Sequence, residues 1–152
     1  MKEGMKAPDF ELKDKDGKKI KLGDIKNNYI IVYFYPKDNT PGCSIEANEF
    51  NDFSEKFNEL DTVIIGISGG DEKSKKIFCE KYKLKITLLS DPNFLISKKY
   101  GAYGKKHFMG REYDGIFRNT YILDKEKNII KIYNNVKAKN HAQEVFELIQ
   151  DL

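Results

Sequence analysis

The chain contains two cysteines, Cys43 and Cys79, and Cys43 stands where protein architecture makes a thiol reactive. Pro36-Lys37-Asp38-Asn39-Thr40-Pro41-Gly42-Cys43 joins the end of an apolar run to the start of a helical period. A cysteine in the first turn of a helix lies among backbone N–H groups that lack an intrahelical acceptor, at the positive end of the helix dipole. Both stabilise the thiolate, which is the nucleophile. Cys43 also opens the apolar stripe of its helix, so its sulfur points toward the body of the protein, where burial opposes charge. A cation is then needed to keep the thiolate ionised, and Arg118, at the start of the strand-like Arg118-Asn119-Thr120-Tyr121, is the candidate. Thr40, three residues before the cysteine, is close enough for its hydroxyl to hydrogen-bond the sulfur or an oxygen of a bound substrate. The competing reading makes Cys43 a small core residue and Arg118 an ordinary surface charge.

Other chemistries lack their residues. With no Cys-x-x-Cys pair, and with His107 and His141 as the imidazoles, neither zinc nor haem has a recognisable ligand cluster, and no cofactor or metal is expected. The net charge of +3 comes from 27 basic and 24 acidic residues spread along the chain, without a block that would mark nucleic-acid binding. No apolar run approaches the ~20 residues of a membrane span, and Met1-Lys2-Glu3-Gly4-Met5-Lys6 lacks the apolar stretch of a secretion signal. The expected location is the cytoplasm, where two cysteines are either inert or reactive and not a permanent bridge.

The elements that must position these residues alternate. At 152 residues, with 39% apolar and 12% aromatic content, the chain is expected to fold as one domain spanning 1–152. Ala7 to Leu12 followed by Asp14-Lys15-Asp16-Gly17 reads as an N-terminal edge hairpin. Tyr29-Ile30-Ile31-Val32-Tyr33-Phe34-Tyr35, stopped by Pro36, reads as a strand buried on both faces. From Cys43 the period becomes helical to about Asn58, with Cys43, Ala47, Phe50 and Phe57 on one stripe. Thr62 to Ser68 is a second buried strand, Asp71 to Lys83 a helix, Ile86 to Leu89 a short strand and Asn93 to Tyr100 a helix. Gly101 to Gly115 reads as a glycine-punctuated loop of functional type. Strands at Asn119 to Leu123 and Asn128 to Tyr133 form a hairpin, and Asn140 caps a last helix carrying Ala142, Val145, Phe146 and Ile149. The pattern predicts an α/β thioredoxin-like fold, a central mixed sheet with helices on both faces.

Here the sequence resembles a known family. Pro36-x-x-x-Thr40-x-x-Cys43 is similar to the peroxiredoxin active-site motif, and Thr40-Pro41-Gly42-Cys43-Ser44-Ile45-Glu46-Ala47 resembles its bacterioferritin-comigratory-protein, or PrxQ, subgroup. Ala7-Pro8-Asp9-Phe10, Leu88-Leu89-Ser90-Asp91-Pro92, Gly115 to Asp124 and Lys137 to Ala142 extend the likeness over nearly the whole chain. The resemblance implies a thiol peroxidase for hydrogen peroxide and organic hydroperoxides. It makes Cys43 the peroxidatic cysteine, Thr40 and Arg118 the groups that orient and polarise the peroxide, and Pro36 a shield over the pocket. It further implies a thioredoxin or similar dithiol as reductant and a monomer. His141 matches a family position but is read as a cap or surface residue.

Many PrxQ proteins place a resolving cysteine in the helix of the peroxidatic one; that position here is Asn48. The other family arrangement uses the next helix, where Cys79 has the matching spacing. On the wheel of that helix Ile77, Phe78, Tyr82 and Leu84 form the apolar side, with Cys79 at its margin beside Lys75, Lys76 and Lys83. The expectation is a partly exposed thiol in positive surroundings. Three alternatives stay open. A one-cysteine cycle would use an external thiol, a disulfide oxidoreductase would need a cysteine where Thr40 stands, and a non-enzymatic thioredoxin-like binding or chaperone module would leave both cysteines incidental.

Overall fold

Every residue of Tyr29–Phe34 is apolar, and the segment becomes β3, its side chains alternating between two cores because successive Cβ atoms of a strand point to opposite faces. The computed structural model describes residues 1–152. Its seven-stranded sheet contains β1 (Glu11–Lys13), β2 (Lys19–Lys21), β3, β4 (Thr62–Ser68), β5 (Thr87–Ser90), β8 (Thr120–Asp124) and β9 (Ile129–Tyr133), in the order β2-β1-β5-β4-β3-β8-β9. The strands β3, β4 and β5 run parallel, while β1 and β8 attach antiparallel on either side. The sheet is therefore mixed, and the N-terminal hairpin lies at its edge, as expected.

One face of the sheet carries Ile31, Tyr33, Ile64, Leu88 and Ile122 and is covered by α1 (Pro41–Asp52), α2 (Ser54–Glu59), α3 (Glu72–Tyr82) and α5 (His141–Gln150). The other carries Ile30, Val32, Phe34, Ile65 and Leu123, covered by α4 (Leu95–Lys99), Phe10, Leu22 and Tyr100. Helices on both faces were expected, and α5 buries Ala142, Val145 and Ile149 as its period requires. No helix is long and apolar enough to cross a membrane.

Several expectations are corrected. The helix expected to run from Cys43 to Asn58 breaks at Phe53 into α1 and α2. Just before the break, Asn51 spends its side chain on the α3–β5 connection, accepting from the Lys85 N–H at 2.6 Å and donating to the Lys83 carbonyl at 3.3 Å. The Gly101 to Gly115 segment is not a loop but a separate ribbon, β6 (Tyr103–Phe108) paired antiparallel with β7 (Arg111–Ile116). Its two-residue turn, Met109-Gly110, has positive φ at both positions, the geometry that matches strand twist in a tight hairpin. The helix expected over 93–100 is the shorter α4. Asn140 does precede α5, but in a left-handed conformation with no side-chain cap, and its N–H donates to Glu49 Oε1 at 2.7 Å.

Phe50 joins the core to the site-bearing helix, stacked on Tyr33 with centroids 4.7 Å apart and edge-on to His141. Phe50→Ala should cost about 3–5 kcal/mol, the usual range for emptying a buried aromatic site, read as a lower urea midpoint at unchanged m-value.

Candidate active site

The site forms where β3 ends, α1 begins and β8 approaches from the opposite direction. Pro41 occupies the first turn of α1 with Thr40 as the residue before it. Proline brings no N–H, so the free backbone donors at that helix end are those of Gly42 and Cys43. Asn39 adopts φ 58°, a left-handed conformation that asparagine tolerates, and reverses the chain between Pro36 and Thr40. Thr40 Oγ1 donates to the Lys37 carbonyl at 2.8 Å, so its hydroxyl closes this loop and does not hydrogen-bond the sulfur. Pro36, which opens this loop, is half-buried.

Cys43 is 2% exposed. Arg118, in the short link between β7 and β8, donates from Nη2 to Cys43 Sγ at 3.4 Å and from Nη1 to Glu46 Oε1 at 2.8 Å. The expected cation is therefore at the sulfur. Burial opposes the charge on Arg118, but Glu46 and Cys43 outweigh it and hold the guanidinium ionised. Gly42 makes the approach possible, since a Cβ there would sit 3.1 Å from Nη2.

Two groups in this pocket were not anticipated. Glu46, one turn after Cys43, is fully buried, and its Oε2 has no partner. Burial pushes its carboxyl up from the ordinary 4.5 to about 7, although Arg118 pulls the other way. The signal was present in the sequence as a carboxylate on the same helical stripe as Cys43, Ala47 and Phe50. Lys106, from β6, is half-buried and donates to the Ile116 carbonyl at 2.9 Å. Burial and then Arg118 lower its pKa while Cys43 opposes them, and its ammonium is given to the Ile116 carbonyl and not to the sulfur or Glu46. Nothing in the Lys-rich segment singled it out.

Cys79 departs from expectation. It is 4% exposed and joins Cys43 in the core cluster on the helical face. Burial raises its pKa, so in this state it is a protected thiol and not an exposed one in positive surroundings. The wheel turned differently because Lys75, Phe78, Cys79 and Tyr82 form the inner stripe of α3, while Ile77 is 52% exposed. Lys75 is wholly buried, in an ion pair with Asp38 at 2.8 Å. Tyr33 lies within the electrostatic reach of both cysteines; burial raises its pKa, and Glu46, Cys43 and Cys79 reinforce the shift. His141, read as a cap or surface residue, is buried, with Nε2 at 2.8 Å from Thr120 Oγ1 and Nδ1 at 2.7 Å from Glu144.

A thiol held against a guanidinium at a helix start is the arrangement of the family motif, and comparison decides the matter. Residues 4–132 match the model of the AhpC/TSA family. The chain belongs to that family. It is 44% identical over 149 residues to the Bacillus subtilis peroxiredoxin Bcp, covering 98% of this chain and 95% of that protein. It is 34% identical over 151 residues to the Escherichia coli K12 peroxiredoxin Bcp, covering 99% and 97%. A Cys-to-Ser mutant of Xylella fastidiosa PrxQ superposes with a TM-score of 0.93 at 29% identity, covering 99% of this chain and 96% of that one. The bacterioferritin comigratory protein of Xanthomonas campestris, studied for alkyl peroxide reduction, superposes at 0.88 with 27% identity, covering 93% and 90%. The fold is accordingly the thioredoxin-like fold of PrxQ peroxiredoxins, and the enzyme is a thiol peroxidase that consumes a peroxide and a thiol reductant.

Within this peroxiredoxin site, Glu46 gives a pH signature. The folded state holds the Glu46 proton more tightly than the unfolded chain, so its contribution to stability is full below pH 4.5 and is lost as pH rises through about 7. Above that point its negative charge draws on the same guanidinium that faces the sulfur. The rate of peroxide attack by wild type should therefore rise less steeply around pH 7. Glu46→Gln should remove that flattening, because the amide cannot ionise and leaves the Arg118 charge to the sulfur. Stopped-flow rates between pH 5.5 and 8.5 test both.

Proposed function

We propose that residues 1–152 act as one peroxidase domain in which Cys43 is the peroxidatic thiol and Cys79 resolves it. The observation that carries this reading is the Arg118 Nη2 to Cys43 Sγ contact of 3.4 Å at the N-terminus of α1. The Cys43 thiolate attacks the terminal oxygen of a hydroperoxide: an S–O bond forms and the O–O bond breaks. The attacked oxygen keeps the peroxide's proton, so the sulfur becomes a sulfenic acid, and the leaving oxygen takes up the proton that the thiol released on ionising, returned by solvent, and departs as water or alcohol. Arg118 and the free N–H groups of Gly42 and Cys43 face the charge that develops along the breaking bond. Thr40 serves by fixing the loop that presents Cys43, with its hydroxyl free to exchange the Lys37 carbonyl for a peroxide oxygen. Pro36 limits water at the mouth. Hydrogen peroxide and small organic hydroperoxides suit a sulfur that is almost wholly covered.

The Cys79 sulfur then attacks Cys43. An S–S bond forms, the S–OH bond breaks, and the hydroxyl leaves as water with the proton of the attacking thiol. Cys79 is buried and protonated in the reduced fold, so this step needs the first turn of α1 and the end of α3 to open. Opening exposes Cys79 among Lys76, Lys81 and Lys83 and removes the burial that suppresses its thiolate. A thioredoxin-like dithiol in the cytoplasm would reduce the bridge, with the protein as a monomer.

Cys43→Ser should lose turnover by orders of magnitude in a peroxide-consumption assay coupled to a thioredoxin system; single-turnover reduction at the wild-type rate would remove Cys43 from this role. Arg118→Met should keep the fold and slow peroxide attack at least tenfold, since the sulfur loses its one charged donor. Cys79→Ser should complete one turnover and then stall as sulfenic acid. Mass spectrometry of wild type after stoichiometric peroxide should find a single chain bridged between Cys43 and Cys79. A disulfide-linked dimer, or undiminished thioredoxin-dependent turnover in Cys79→Ser, would assign the enzyme a one-cysteine cycle instead.

A further inference from the structure

Asp38 lies in the loop that leads to Cys43, and Lys75 lies one turn before Cys79 on α3. Their side chains meet at 2.8 Å, 4% and 0% exposed, in a network that leaves neither group unsatisfied. Asp38 Oδ1 accepts from Tyr35 OH at 2.6 Å and Ser68 Oγ at 3.4 Å; Oδ2 accepts from Ser74 Oγ at 2.7 Å as well as from Lys75. Lys75 Nζ also donates to Ser68 Oγ at 2.7 Å and lies 5.7 Å from the Tyr35 ring centroid. The backbone has closed around the pair: a Cβ on Gly70 would come within 2.5 Å of Asp38 Oδ2. A second tie between the same loop and helix, Lys81 Nζ to Asn39 Oδ1 at 3.1 Å, is exposed.

The two ties differ in what breaking them does. Opening the exposed one exchanges a single hydrogen bond for water, whereas opening the buried one strands two charges away from solvent. Motion that brings Cys79 to Cys43 therefore releases Lys81 first and leaves Lys75 in place. The geometry permits this, because chain reaches ~3.5 Å per residue when extended, so the segments from Asp38 to Cys43 and from Lys75 to Cys79 together span far more than a disulfide needs.

We propose that the Asp38–Lys75 ion pair is the pivot of the resolving motion, staying closed while the first turn of α1 and the C-terminal half of α3 unwind from it and meet. Asp38 and Lys75 are positioning residues: they act through the two thiols and touch neither substrate nor sulfur. The pivot shortens the loop that the disulfide must close, from the roughly 36 residues between the cysteines to about nine residues counted through the pair, a loop-entropy difference worth up to about tenfold in rate. The idea rests on the Cys43–Cys79 disulfide proposed above.

Two measurements test it. In Asp38→Asn/Lys75→Gln, which keeps hydrogen-bonding groups without the charges, rapid-quench mass spectrometry should show disulfide formation slowed three- to tenfold. The same variant should attack peroxide within twofold of wild type and form sulfinic acid at lower peroxide, because the sulfenic acid lives longer. A general loss of packing would slow both steps together. In wild type, hydrogen exchange before and after oxidation should stay unchanged at Asp38 and from Ser74 to Lys76 while it rises from Ile77 to Tyr82. The proposal is overturned if the variant closes its disulfide as fast as wild type, or if the amides of Ser74 to Lys76 lose protection on oxidation. A wild-type protein that never bridges Cys43 to Cys79 removes the disulfide reading itself, and the pivot with it.

Discussion

The guanidinium of Arg118 stands between a buried sulfur and a buried carboxylate, and the site is organised by the fact that one cation serves two acidic groups. At an effective dielectric of about 20, unit charges 3.4 Å apart attract by about 5 kcal/mol. Removing an ion from water costs several kcal/mol even after relaxation, so Arg118 offsets the burial of roughly one anion and not two. The two groups must therefore share: the sulfur and Glu46 draw on the same positive charge. Burial outweighs the guanidinium at Glu46, whose carboxyl is pushed up to about 7 although it hydrogen-bonds Arg118 at 2.8 Å. The sharing also suits the chemistry, because the negative charge that leaves the sulfur in peroxide attack appears on oxygen within reach of the same cation.

Placing that cation demands the whole sheet. Arg118 leaves β7 and precedes β8, whereas Cys43 follows β3, and the antiparallel pairing of β3 with β8, Tyr33 opposite Thr120, brings the end of one strand beside the start of the other. The carbonyl of Arg118 accepts from the Val136 N–H at 2.8 Å, and the Asn119 carbonyl accepts from the Phe34 N–H at 2.8 Å. The link carrying the guanidinium is thus held on both sides by backbone. Short side chains complete the fit: glycine at 42 admits the guanidinium, and proline at 41 removes a donor that would have had no partner.

What could be read from the sequence was whatever has a strong period or a strong local rule. β3 and β4 were legible because long β-branched and aromatic runs have few alternatives, and Cys43 because a Thr-Pro-Gly turn before a helical stripe defines a helix start. The ribbon β6–β7 was not, because Tyr103 to Ile116 alternates charged, glycine and aromatic residues without an apolar face, and its pairing is fixed by the Met109-Gly110 turn. Glu46 and Lys75 were missed for a common reason. Each is a charged residue on the inner stripe of its helix, and hydropathy assigns charge to the outer face unless a partner is known. Their partners, Arg118 and Asp38, lie far along the chain, so the pairings become visible only in three dimensions.

Cys79 shows how such a fold divides its stability. A resolving thiol that remained exposed would be open to oxidation and exchange at all times, and a buried one cannot reach its target without local opening. The helix that carries it is built unevenly to match. At its start α3 is fastened by Asp71, whose side chain accepts from the Ser74 N–H at 2.8 Å, and by the buried Asp38–Lys75 pair. At its end it closes on Lys83 in a left-handed conformation, φ 53°, an unfavourable position for a residue that is not glycine. The left-handed end lies beside Cys79 and the fastened end lies away from it, an arrangement that suits the resolving role proposed for Cys79.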